Sequence, residues 1–192
     1  MRKRNIFLTI LGLILILLSG CTSVPSAQQT PTPRATRTSQ THVQQAVTLV
    51  KPAGSVPATC TPTPVYVGSH DGGPAIPWIA AAPASSGIIG YLFFTQVTPT
   101  NKPAYYQPMH TGGKMPDGGT TKILWMIQNP SAIGELTVTG KNLSLPGSTF
   151  QQTFPAASAG IPSIIDVPTA GCWYFDLKSG SDQATVIFWV VP

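Results

Sequence analysis

Hydrophobic and polar positions fall into three regimes along the chain. From Ile6 to Leu18 the sequence is apolar except for Thr9 and Gly12. Residues 22–45, TSVPSAQQTPTPRATRTSQTHVQQ, then offer almost nothing to bury. Such a composition does not offset its ordering entropy, so this stretch is expected to be disordered. From about residue 46 onward the pattern is of short runs rich in β-branched and aromatic residues, separated by Pro- and Gly-bearing turns. Ile88–Val97, Thr120–Ile127, Glu135–Thr139, Ser163–Val167, Trp173–Leu177 and Ala184–Val191 read as strands, and no useful stretch repeats at 3.6 residues. Strands of this length between turns predict an all-β antiparallel sandwich over 46–192.

The first regime has the form of an export leader. Arg2, Lys3 and Arg4 precede the apolar run, which is shorter than the about 20 residues of a membrane span. It ends in Leu18-Ser19-Gly20-Cys21, which resembles the lipobox of bacterial lipoproteins. The resemblance implies that residues 1–20 are a signal peptide, that a diacylglyceryl group is carried on the Cys21 thiol, and that Cys21 becomes the new N-terminus. Each buried CH₂ of such an anchor contributes roughly 0.8 kcal/mol, and two or more chains hold stably. Residues 21–45 then become a lipidated tether spanning about 25–30 Å, with the body held at the cell membrane and facing away from the cytoplasm.

Charge changes the picture little. The formal net charge is +5, but Arg2, Lys3, Arg4, Arg34 and Arg37 precede the sandwich. Beyond them, six lysines (51, 102, 114, 122, 141, 178) balance six acids (Asp71, Asp117, Glu135, Asp166, Asp176, Asp182). A nucleic-acid partner calls for a basic patch, and these lysines are scattered, so none is expected.

Two cysteines remain, Cys60 and Cys172. In an exported chain an even number favours a disulfide, the alternative being two buried thiols. In the strand at 173–177, period two puts Trp173, Phe175 and Leu177 on one face and Cys172, Tyr174 and Asp176 on the other. With the tryptophan face inward, Cys172 points away from the core, which puts Cys60 in a segment wrapped over the outer face. Lys178–Gln183 reads as a hairpin loop. Trp78, Trp125, Trp173 and Trp189 read as core residues.

Val167-Pro168-Thr169-Ala170-Gly171-Cys172-Trp173-Tyr174-Phe175-Asp176-Leu177 resembles a strand of immunoglobulin-like sandwiches, which implies about 7–9 strands. Together with Cys60-Thr61-Pro62, Trp78, Lys122 to Trp125 and Leu136 to Lys141, it also resembles a group of exported bacterial lipoproteins that end in a P-x-x-G-C-W strand. That group brings no activity with it, but it supports the Cys60–Cys172 pairing.

Candidate chemistry is sparse. Ser69-His70-Asp71-Gly72-Gly73 and Met109-His110-Thr111-Gly112-Gly113 each place a histidine two residues before Gly-Gly. His70, Asp71, His110 and Asp117 are candidate ligands for a divalent metal, and Met109, His110 and Met115 for copper(I). The same sequences are turn formers, and no cofactor is expected. A serine hydrolase lacks its G-x-S-x-G elbow. A glycosidase would need two acids drawn from six, with Asp166 and Asp176 the pair beside strands. Tyr105 and Tyr106, in a Pro-bounded stretch, form a candidate ligand surface for glycan, wall polymer or protein. The expected function is therefore binding or scaffolding at the envelope through the Cys21 lipid. Metal binding and envelope hydrolysis are the alternatives.

Overall fold

A computed structural model describes residues 47–70, 75–97, 105–128, 134–157 and 160–192, all within a compact unit, Val43–Pro192. The leader, Cys21, the tether to residue 45 and Asp71 lie outside the described residues. Twelve strands are described: β1 Thr48–Pro52, β2 Val65–Val67, β3 Trp78–Ala80, β4 Ile88–Leu92, β5 Tyr105–Tyr106, β6 Met109–His110, β7 Lys122–Ile127, β8 Leu136–Asn142, β9 Thr149–Phe154, β10 Ile161–Ile164, β11 Gly171–Ser179 and β12 Asp182–Val191. They form a seven-stranded sheet, β10-β7-β4-β3-β2-β1-β5, and a five-stranded sheet, β6-β12-β11-β8-β9. Pairing is antiparallel except for β1 with β5 and β12 with β6. The fold is the all-β sandwich the sequence predicts, with more strands than the expected 7–9. The excess consists of two- and three-residue strands, too short to show a period.

The main core lies between the sheets. Ile123 and Trp125 of β7, Ile88 and Leu92 of β4, Val138 of β8, Trp173, Phe175 and Leu177 of β11, and Val186, Phe188 and Val190 of β12 alternate inward and are buried. Two tryptophan expectations need adjustment. Trp189 faces outward on β12 and is only partly buried. Trp78 is buried in a second cluster, with Ile89 and Tyr91, on the outer face of the larger sheet. Strand register carries that cluster from strand to strand as Tyr66, Trp78, Tyr91 and Leu124. Tyr66 stacks on Trp78 with ring centroids 4.8 Å apart. Strand β4, apolar at every position but Gly90, is thereby buried on both faces.

The β11–β12 hairpin is tighter than expected. Ser179 pairs with Asp182, leaving only Gly180-Ser181 as the turn, and Gly180 has φ 56°, a conformation that glycine adopts without a Cβ clash. The far edge of β12 is closed by three separate segments. β6 pairs at Val190 and Val191, Thr63 donates its N–H to the Ile187 carbonyl, and Ala82 and Thr185 exchange backbone hydrogen bonds.

Cys60 and Cys172 are joined, with Cα atoms 5.6 Å apart and 112 residues between them in sequence. Cys172 lies on the outer face of β11, opposite Trp173, and the Cys60 segment covers it, as period two requires. Beside the bridge, the buried Asn142 uses its whole amide. Nδ2 donates to Thr169 Oγ1 and the Ala170 carbonyl, and Oδ1 accepts the N–H groups of Ser144 and Leu145.

Candidate binding groove

The run 88–97, continuous in its sequence pattern, is broken in the structure, the chain turns a corner after Tyr106, and a groove opens between the two sites. Strand β4 stops at Leu92, and Phe93 swings outward while its N–H still donates to the Lys122 carbonyl. After β5 the chain crosses from one sheet to the other within Gln107-Pro108 and starts β6. That corner is fixed by the Gln107 N–H, which donates to Thr95 Oγ1 at 2.8 Å. A small hairpin completes the frame. Lys114 pairs with Thr120, the Met115 N–H donates to the Gly119 carbonyl, and the Asp117 carboxylate accepts the Gly119 N–H at 2.9 Å.

The resulting groove encloses about 430 Å³. Its floor includes the buried Phe94, Tyr106 and Met115, and its rim carries the exposed Phe93, Gln96, Tyr105, Gln107, Asp117 and Lys122. Phe93 is 44% exposed and Tyr105 51%, the two aromatic rings among the exposed large hydrophobics of the described residues. The Lys122 ammonium lies 5.4 Å from the Phe93 ring centroid, a cation–π contact that holds the ring at the rim. One carboxylate and one ammonium leave the rim without net charge.

The two tyrosines expected to form one ligand surface part company. Adjacent residues of a strand point to opposite faces, so Tyr105 projects into solvent while Tyr106 turns into the core and is 4% exposed. The correction is that Tyr105 alone presents its ring at the rim, and Tyr106 supplies floor. Burial pushes the Tyr106 phenol up to about 12. Of the remaining rim residues, Asp117 is one of the candidate metal ligands and the others belong to no motif. Phe93 and Gln96 lie inside the run 88–97 and Lys122 inside the run 120–127, each of which reads as one strand.

The histidine loops are held apart. His70 packs edge-on against Trp78, ring centroids 4.5 Å apart, on the larger sheet. His110 belongs to β6 of the smaller sheet, with its Nδ1 2.5 Å from the Pro192 carbonyl. Met109 and Met115 are core side chains, and Asp117 is occupied in its turn. Among the described residues, no three His, Cys, Asp or Glu side chains gather as a metal-holding group. The two strand acids have other surroundings. Both Asp176 carboxylate oxygens accept from Gln183 Nε2, and the Asp166 N–H donates to Gln152 Oε1.

Fold and groove together define a two-layer β-sandwich with an aromatic-rimmed, polar-sided cleft at one sheet edge. No family model, curated protein or solved structure matches the chain.

Proposed function

We propose that this chain is a lipid-anchored binding protein of the bacterial envelope, and that it holds a segment of neutral glycan in the groove between β5 and the Lys114–Thr120 hairpin. The observation that carries the reading is the pair of exposed rings, Phe93 and Tyr105, set among amide, hydroxyl and charged side chains. A sugar ring presents C–H faces that stack on aromatic surfaces and hydroxyls that both donate and accept. Gln96 and Gln107 offer both kinds of hydrogen bond, Asp117 accepts and Lys122 donates. A cleft combining apolar floor with a few convergent polar groups is the usual form of a small-ligand site. Among the groove's lining residues Asp117 is the single acid, which favours binding over a two-carboxylate hydrolysis. The leader and Leu18-Ser19-Gly20-Cys21 support attachment of the body to the membrane by acyl chains.

The test is calorimetric titration of the detergent-solubilised chain with soluble fragments of envelope polysaccharide. Saturable binding is expected, weakened about tenfold by Phe93→Ala or Tyr105→Ala and unchanged by Tyr174→Phe on the far sheet. Absence of binding, or equal losses in all three variants, overturns the glycan reading. Attachment is read separately, by incorporation of labelled palmitate that Cys21→Ser abolishes.

A further inference from the structure

Four strands form the outer edges of the two sheets, and three are poor templates for a neighbour. β5 and β6 are two residues long. β10 has four residues, one of them Pro162, which has no N–H to give. The fourth, β9, is six residues long, Thr149-Phe150-Gln151-Gln152-Thr153-Phe154, paired along its whole length with β8 on one side. No described strand lies on its other side. It contains no proline and no charge, the devices that normally blunt an exposed edge.

The direction of its backbone groups follows from the register. The Asn142 N–H donates to the Ser148 carbonyl directly opposite. In an antiparallel ladder bonded and non-bonded pairs alternate. Phe150, Gln152 and Phe154 therefore bond to β8, and Thr149, Gln151 and Thr153 direct their N–H and C=O groups to the open edge. The neighbouring strand agrees, since Leu143, odd-numbered in the β8 series, donates to the Cys172 carbonyl on the β11 side.

We infer that β9 is a homotypic docking edge, pairing antiparallel with β9 of a second copy about a two-fold axis through Gln151. In that register Gln151 faces Gln151 of the other copy, and Thr149 faces Thr153. Every outward donor and acceptor of the strand then finds a partner, and core face continues as core face. Moving the axis to Phe150 or Gln152 leaves one outward-facing residue of the strand without a partner inside the other strand. The side chains that meet on the solvent face are Thr, Gln and Thr, which pair by hydrogen bonds and bring no like charges together. A two-fold contact of this kind closes on itself and stops at a dimer.

The test is sedimentation of the detergent-solubilised full chain across concentration. The unmodified chain is expected to form a dimer. Gln151→Lys, an exposed position, sets two ammonium groups opposite each other across the axis and weakens the dimer about tenfold. Gln151→Glu does the same alone, and an equimolar mixture of the two variants restores association. Gln151→Pro deletes an outward N–H without touching the β8 ladder and abolishes the dimer. A chain that stays monomeric up to millimolar concentration overturns the inference. So does a dimer indifferent to all three substitutions, or variants that fail to complement when mixed.

Discussion

Trp125 donates its indole N–H to Ser163 Oγ, 2.9 Å away, deep between the two sheets. The Ser163 hydroxyl in turn donates to the Ile123 carbonyl at 3.2 Å. The same indole lies over Gly90, where an added Cβ would come within 2.8 Å of the ring. One side chain of β7 thus fastens β10 on one side and fills the gap left by a glycine of β4 on the other. Ser163→Ala is expected to strand a buried N–H and lower stability by about 1–3 kcal/mol, measured by urea denaturation with tryptophan fluorescence.

Gly140 has a comparable relation to Phe150. A Cβ on Gly140 would fall 2.1 Å from the ring, which packs at the same time on Trp173 and Phe175. Gly140→Ala should therefore destabilise the sandwich by about 1–3 kcal/mol. Trimming the obstructing ring in a Gly140→Ala/Phe150→Leu double variant should recover part of that loss. A thermal melt of the three proteins reads both effects, and additive losses would count against the steric explanation.

The Cys60–Cys172 bridge closes a long loop, so its removal should be costly. In the chain-entropy account a loop of this size is worth about 4–5 kcal/mol. A Cys60→Ser/Cys172→Ser variant, or the reduced protein, should unfold at markedly lower denaturant than the oxidised protein. An unchanged midpoint would mean that packing of the Cys60 segment alone holds the outer face of β11.

Tyr106 ties stability to alkaline pH. Its folded-state pKa of about 12 lies above the value near 10 of an unfolded chain. Between those values the unfolded chain gives up the phenolic proton and the folded one keeps it, so the stability this group supports is whole below about pH 10 and declines as pH rises through about 12. Tyr106→Phe should flatten that decline, as followed by denaturation at several alkaline pH values.

Sequence pattern reaches far into this fold because the long strands are amphipathic or fully apolar. β7, β8, β11 and β12 are visible in it because inward residues recur at every second position. It also puts Cys172 and Trp173 on opposite faces of β11. β9 escapes notice because its inward set, Phe150, Gln152 and Phe154, interleaves with Thr and Gln, so polarity hardly alternates. β5 and β6 are two residues each, and their membership of different sheets is decided by tertiary partners. The groove was half legible. Tyr105 stood out as an aromatic outside any strong strand run, whereas Phe93 was hidden by the apolar residues before it. What takes it out of the strand is the end of β4 at Leu92, a tertiary event.

The position of the bridge also decides how the body would respond to force. A pull on the chain at Val47 would unzip β1 from β2 and β5 first, since these are short ladders at one margin of the larger sheet. Peeling would halt at Cys60, where the load passes through sulfur into β11, a strand hydrogen-bonded along both sides. Because β1 pairs with β5 at Tyr105, and Ala53 just beyond it lines the cleft, tension of that kind would deform one wall of the cleft while leaving the rest of the sandwich standing.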